Sequence, residues 1–558
     1  MECIMWLNDN SSLLLSAAGA LSGLVIHRGY FIHGEWHVQA PNIVRYYGSV
    51  LMLFIAGRVY YHASPLLVWF DGLLLGFLAH LISLLSSIIT YRVAFHRLTR
   101  EGFPGPLAAR ITKLWHVWQA RDSKNYLVLD KLHAKYGDFV RTGPSEITVF
   151  VPDAFDVIDG RHSVCTKAEW YDLLHPEQSL VSTRDKTVHN KRRKEWLYAF
   201  TNQGLVNHRA KTLKYLELLD GLIQSAARDP AAVVDLSDLL GWFSFDIMSD
   251  WTLSKTFEML ENESWHHIIS GMRDARSLLG PFSPAPWMFQ LGIHLLPRVG
   301  PIKGWHDMTC WCAAQMKKRL DGDRDISPEV PDLAYYLQER SASKDKQSKN
   351  SWLVGDSLIA IVAGSEPTAS ALAGIFSELV QHPENFDKLR SELATVSDLT
   401  DSRALATVPH LDAVINEAMR LHPAAMTGGA RKTPDDTGIH INGVFIPPKT
   451  TIIAPRYTIS RREDCFERGK EFFPERWTTR PEMLRNVNAF SPFGNGPHTC
   501  VGNNLALNTI RLVVARLVMK YTFRLAPGVS PRAFDEGSLD HFATLPGNLL
   551  VQVGLLEA

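Results

Sequence analysis

The sequence is poor in cysteine: six in 558 residues, with no Cys-x-x-Cys pair. That excludes a disulfide-stapled scaffold and argues against a zinc finger, since both need clustered thiols. It also lacks a charge excess, since 58 Lys and Arg balance 58 Asp and Glu. That argues against nucleic acid as the main partner, because phosphate binding draws on a cationic surplus, though a local basic patch stays open. No internal repeat is visible, which removes solenoids and propellers. What is present points to a large core. The composition is 46% apolar, with 15 Trp and 26 Phe, and so unlike a disordered chain.

The apolar residues crowd into the first hundred positions. Leu13 to Ile26 is a run of 14, Tyr46 to Gly57 a run of 12, and Leu66 to Tyr91 a run of 26 broken by Asp71 and His80. A spanning helix needs about 20 residues, so only the third run passes without help. Arg92, Arg97, Arg100, Arg110 and Lys113 follow it and place that side in the cytosol. No Lys or Arg precedes Leu13, which places the N-terminus in the lumen. One span or three satisfy this; two do not. A signal peptide needs a basic leader that is missing here. The polar residues inside the third run are costly in lipid and favour packing against the other two.

Residues 1–100 therefore read as a membrane anchor of one to three helices, and 101–558 as a soluble domain. Gly102-Phe103-Pro104-Gly105-Pro106 cannot continue a helix and reads as the hinge between them. Asp138 to Pro144 and Glu146 to Val151 read as paired strands. Thr187 to Cys312 is mostly helical, and Ser341 to Asn350 reads as a solvated loop. Ser351 to Val380 reads as a helix buried on all sides. It carries Gly364, Ser365, Glu366, Pro367 and Thr368 in mid-course, a costly interruption that marks a site. Glu384 to Leu393 and Pro409 to Leu421 are amphipathic. Short strands follow at Gly438 to Asn442, Val444 to Ile446 and Thr450 to Ala454. The fold class is mainly α with a smaller β part.

The strongest chemical signal is Phe493-Gly494-Asn495-Gly496-Pro497-His498-Thr499-Cys500-Val501-Gly502, ahead of a helix from Asn503 to Met519. Backbone N–H groups of such a loop stabilise a thiolate, and its glycines admit a flat partner. The thiolate is a nucleophile or a metal ligand. A nucleophile needs a base, and His498 two residues away is weak support for one; zinc needs further ligands that are missing nearby. Glu417-Ala418-Met419-Arg420 sets an acid and a guanidinium on one helix face. Pro474-Glu475-Arg476-Trp477 supplies a second arginine, and an Arg–carboxylate–Arg cluster could clamp the Cys loop to that helix.

Together these residues resemble the cytochrome P450 superfamily. The Phe493 to Gly502 segment resembles its haem loop, Glu417-x-x-Arg420 its ExxR, Pro474 to Trp477 its PERF-type segment, and Ala363-Gly364-Ser365-Glu366 its oxygen-binding groove. The order is the family's, and the likeness covers the chain from about Glu101; fungal microsomal members of specialised metabolism are most similar. The resemblance implies the P450 fold and haem b, with Cys500 as axial thiolate, Phe493 beside the sulfur and Gly502 leaving room for the porphyrin. It implies His189, Arg193, Arg431 and His498 as partners of the haem carboxylates, with Lys191, Arg192 and Lys194 facing water or a reductase. No Cys-x-x-Cys-His is present, so covalent attachment is not expected.

The resemblance further implies a monooxygenase of the endoplasmic reticulum membrane, its catalytic domain in the cytosol. NADPH-cytochrome P450 reductase, with cytochrome b5 as an accessory donor, would supply electrons for oxidising a hydrophobic small molecule. One position departs from the family: Pro367 stands where a threonine is usual, and Thr368 comes one place later. Glu366 is expected to relay protons through water, with Thr368 mattering less than the family's threonine. Substrate contacts are expected from about Arg161 to Thr183, Asn207 to Ile223, Leu279 to Leu296, Ile359 to Ala363, Ala424 to Thr427 and near Phe542. The alternatives are a haem-thiolate isomerase or dehydratase needing no reductase, and a membrane haem-sensing protein.

Overall fold

The computed structural model describes residues 2–64, 66–321, 330–340 and 346–556. The three apolar runs form helices α1 (Glu2–Gly29), α2 (Ala40–Tyr60) and α3 (Leu67–Thr90). Small residues let α1 and α3 meet backbone to backbone. A Cβ on Gly19 would lie 2.0 Å from the Gly76 carbonyl oxygen, and one on Gly23 2.4 Å from that of His80. The polar residues of α3 find partners on its neighbours. Asp71 pairs with Arg58 of α2, and His80 bonds Ser22 of α1 and Tyr47 of α2.

The segment read as a hinge is packed. The Arg141 N–H donates to the Pro104 carbonyl at 2.7 Å, and its guanidinium bonds Thr99 and the Arg92 and Pro144 carbonyls. Gly105 has φ +153°, and a Cβ there would lie 2.4 Å from the Arg141 carbonyl oxygen. The connection is thus fixed to the sheet edge.

The strands read from alternation and Gly/Pro punctuation are present. β1 (Phe139–Gly143) and β2 (Glu146–Val149) form the antiparallel pair. They join β3 (Thr166–Lys167), β5 (Arg431–Lys432) and β8 (Thr451–Ile453) in a five-stranded sheet of order β1-β2-β8-β5-β3. A second sheet has the order β4-β12-β9, from Val234–Asp235, Leu550–Leu555 and Tyr521–Leu525. Two hairpins complete the β part: β6 (Ile439–Ile441) with β7 (Val444–Ile446), and β10 (Leu539–His541) with β11 (Ala543–Leu545).

The rest is helical. The helices used below are α4 (Lys186–Leu197), α5 (Asn202–Ala226), α6 (Leu236–Leu253), α7 (His267–Ser277), α8 (Pro286–Leu295), α9 (Lys346–Gln381), α10 (Pro409–Leu421) and α11 (Asn503–Lys520). The largest core cluster joins α5, α6, α9, α10 and α11. Helix α9 is long and apolar enough to cross a membrane, but protein encloses it. It runs unbroken past Pro367, and it begins at Lys346, so 346–350 is helix and not loop; 341–345 lie outside the described residues.

Glu417, Arg420 and Arg476 are completely buried and tied together. The Glu417 carboxylate accepts from Arg420 at 2.8 and 2.9 Å, from Arg476 at 3.0 Å, from Trp477 Nε1 at 2.9 Å and from the Phe473 N–H at 2.8 Å. Burial pushes the Glu417 carboxyl up, but the guanidiniums outweigh it and hold it below the usual range. The other N–H groups of the two arginines meet carbonyls of Ser460, Gly469, Glu467 and Arg468. The cluster therefore clamps the 460–477 chain to α10, rather than the Cys loop itself.

Candidate functional site: an exposed thiol among buried cations

The loop before α11 is shaped by two left-handed glycines, Gly494 (φ +72°) and Gly496 (φ +61°). A Cβ on Gly496 would lie 2.1 Å from the Asp159 carbonyl oxygen, so only glycine lets the loop dock there. The Cys500 N–H donates to the Phe493 carbonyl at 2.9 Å. The backbone is thus held while the residue remains exposed to an open space. Burial of its surroundings pushes the Cys500 thiol up, while the Gly502 N–H and Arg193 oppose this. A Cβ on Gly502 would stand 3.9 Å from Sγ and 3.7 Å from Phe200.

Helix α4 carries His189 and Arg193 to the loop. Arg193 donates to the Thr499 carbonyl at 2.7 Å, and His189 Nε2 lies 3.3 Å from His498 Nδ1. Arg431, on β5, donates to Asp159 at 2.5 Å and to the Tyr171 hydroxyl at 2.7 Å. All four expected carboxylate partners are therefore near one another. Sequence reasoning missed Lys167, whose ammonium is buried and donates to the Leu180 and Val181 carbonyls. It also missed Asp159, Tyr171 and Arg456, the last bonding the Ser491 carbonyl at 2.9 Å. Arg192 is corrected: it does not face water but is buried, 2.5 Å from Asp356. Asp356 also accepts from Trp196 and the Leu180 N–H, which makes the pair structural.

The cations are unevenly compensated. His498 is held down to about 2 by burial, then by Arg431, Lys167 and His189. His189 is held down to about 4 by burial, then chiefly by Lys167. Lys167 falls to about 7 through burial and Arg431, opposed by Asp159. Such mutual repulsion suits a ligand with two carboxylates, which would relieve it. The donor set also fits: an exposed cysteine with Gly502 and Phe200 close by. Were a haem held there by Cys500, the thiolate would supply it with electron density, which favours O–O cleavage.

Ala363 is exposed in the otherwise buried mid-course of α9, and Pro367, one turn on, is partly exposed. They lie on one stripe of the helix. Glu366 and Thr368 lie off that stripe, both buried. Glu366 pairs with Arg276 of α7 at 2.7 Å, and Thr368 donates to the Gly364 carbonyl at 2.8 Å. Ser365 likewise donates to Ile361 and Ser244 carbonyls. Nothing in the sequence singled out Arg276.

Two clefts open near these elements. One is lined by Glu169, Trp170, Pro286, Thr427, Ala430 and Phe542 among others. Trp170 and Phe542 stack across it, centroids 3.9 Å apart. The other lies between Leu174 to Ser182, Trp305 and Leu358–Ile359. Together with Lys113, His116, Asn125 and Glu146, residues from each expected contact region except Asn207 to Ile223 line them. That stretch belongs to α5, whose Tyr215, Leu216, Leu219 and Ile223 are core.

The cytochrome P450 family profile matches residues 104–553. A cytochrome P450 monooxygenase of Aspergillus versicolor is 32% identical over 547 residues, covering 95% of this chain and 96% of that one. Tryprostatin B 6-hydroxylase of Neosartorya fischeri is 32% identical over 540 residues, covering 94% and 96%. A cytochrome P450 monooxygenase of Eupenicillium brefeldianum is 34% identical over 474 residues, covering 84% and 94%. The family carries haem on a cysteine thiolate, and the fold, the thiol and the cations agree with it: this chain belongs to the cytochrome P450 family.

Proposed function

We propose that this P450 is anchored by residues 1–100 in the endoplasmic reticulum membrane, with residues 101–558 as its cytosolic haem domain. It oxidises a hydrophobic small molecule in a fungal specialised-metabolite pathway. Cys500 is the iron ligand; His189, Arg193, Arg431 and His498, joined by Lys167, receive the haem carboxylates. Phe493 and Gly502 shape the space beside the sulfur. The cleft between Trp170, Thr427 and Phe542 receives the substrate, and its mostly apolar lining suits a lipophilic guest. Electrons come from NADPH through a separate reductase, with cytochrome b5 as accessory donor. The observation that carries this reading is the accessible thiol of Cys500 beside a buried, undercompensated cation cluster.

Glu366 holds a proton-exchanging carboxylate one residue from the exposed stripe of α9, and Arg276 sets its position. Thr368 has its hydroxyl proton committed to Gly364 and contributes less. The test is turnover of lipophilic candidates in microsomes with and without added reductase and NADPH, under ¹⁸O₂. Product that needs both and carries one labelled oxygen agrees with the proposal. Conversion of a hydroperoxide without NADPH would instead establish the isomerase or dehydratase reading, which Pro367 favours.

A further inference from the structure

The anchor is more than a tether. Helices α1 and α3 run parallel: Gly72 faces Leu15 and Ser12, Gly76 faces Leu15 and Gly19, His80 meets Ser22, and Ser87 meets His27. Two parallel helices with a third between them in sequence require that third to run back. α2 has 21 residues, ~31 Å of helix against a hydrocarbon core of ~30 Å. Unlike α1 and α3 it falls short of the apolarity of a spanning helix by composition, because it carries Arg45 and Arg58. Both are answered. Arg58 is neutralised by Asp71 of α3 at 2.5 Å. Arg45 lies at the opposite end, where it donates to Asn42 and to the His294 carbonyl of α8.

The loop between α1 and α2 lies against the catalytic domain. The Glu35 carboxylate is gripped by both terminal nitrogens of Arg184, at 2.7 and 3.1 Å, and by the ammonium of Lys432. His37 Nε2 lies 2.9 Å from Asp172, which also accepts from Arg184 at 2.6 Å. Burial pushes the Glu35 carboxyl up, but Arg184 and Lys432 outweigh it and hold it at about 2. Glu35, His37 and Asp172 are near enough to hold a metal ion. Arg184 and Lys432 already occupy those carboxylate oxygens, so the group reads as a clamp. Arg28 and Arg45 flank the loop, as a cytosolic loop requires.

We propose that the anchor is a three-pass bundle whose cytosolic α1–α2 loop docks on the catalytic domain through Glu35 and His37, fixing the domain's orientation on the membrane. The clamp grips both segments that carry haem-edge cations: Arg184 stands five residues before His189, and Lys432 directly follows Arg431. This rests on the membrane reading above, and the experiment separates the two. In an Asn10→Gln background, which removes the natural Asn-Ser-Ser acceptor, a flexible insert bearing an Asn-Gly-Thr acceptor is placed within Tyr61–Ser64 or within Phe31–Gln39 of the full chain. Expression in microsomes should give a glycan at the first place only. Glycans at both places, or at neither, would overturn the three-pass bundle, and release of the chain by alkaline carbonate would overturn anchoring itself.

The clamp is tested without inserts. In sealed microsomes, Glu35→Arg and Glu35→Gln should speed chymotrypsin cleavage after Phe31 or Trp36 by about tenfold or more. Glu35→Arg combined with Arg184→Glu should restore most of the protection. Cleavage unchanged in both single variants, or no recovery in the double variant, would overturn the clamp while leaving the topology result standing.

Discussion

Glu366 Oε2 lies 2.7 Å from Arg276 Nη1, both side chains almost wholly buried, joining α9 to α7 beside the exposed stripe of Ala363 and Pro367. The carboxylate is thus fixed in a dry site by a charge-assisted bond. It can pass protons only if the guanidinium releases it.

Glu366→Gln should therefore lower kcat on the order of 100-fold, the usual scale for losing a positioned proton carrier. Thr368→Ala should leave product per NADPH close to wild type, because its hydroxyl already serves the Gly364 carbonyl. Arg276→Gln should lower kcat, because it frees the carboxylate that the guanidinium positions. Stopped turnover with NADPH and product measured together checks all three. Equal, wild-type coupling in Glu366→Gln and Thr368→Ala would refute the assignment.

The Glu417 cluster should be the fold's most sensitive ion pair. Arg476→Ala leaves part of a buried carboxylate uncompensated and should cost about 3–5 kcal/mol. Urea unfolding followed by tryptophan fluorescence measures it. A cost below about 1 kcal/mol would show that the clamp is dispensable.

Lys167→Met and Arg431→Leu should each weaken haem retention, the first without disturbing an ion pair. Lys167 bonds only carbonyls, whereas Arg431 also holds Asp159. Transfer of haem to an excess of an apo-globin should be several-fold faster in both. Unchanged transfer in Lys167→Met would remove that residue from the haem edge.

Asp540 supplies a pH test. Burial pushes its carboxyl up to about 6, against the opposing bonds of Thr427 and the Phe542 N–H. Here the folded state binds the proton more tightly than the unfolded chain. Stability is thus highest below the ordinary aspartate range, and falls as pH rises from about 4 to 6. Asp540→Asn should gain up to about 3 kcal/mol relative to wild type between pH 4 and pH 7. Unfolding curves at the two pH values check this, and a pH-independent difference would contradict it.

Much of this was legible in the sequence because local rules agreed with tertiary ones. Alternation gave β1 and β2, and amphipathic spacing gave Pro409–Leu421 to the residue. The Gly-rich Cys loop was plain because its glycines answer backbone constraints that no other residue meets. Asp71 and His80, read as costly in lipid, are the residues that α1 and α2 satisfy. What failed depended on distant partners. Arg192 looked like part of a solvated basic run, but Asp356 lies 164 positions away. Asn207–Ile223 looked variable, yet its apolar face meets a core assembled from α6, α9 and α11. Lys167 and Arg276 stand in no motif, so only the fold brings them to the site. That the hinge segment packs on Arg141, from a later strand, was likewise not legible locally.

The account turns on the sulfur of Cys500. The reduced full-length protein should show, with carbon monoxide, the red-shifted Soret band of a thiolate-ligated haem, and Cys500→Ala should abolish it. A band at the position given by histidine or neutral ligands, or one that survives Cys500→Ala unchanged, would contradict the account.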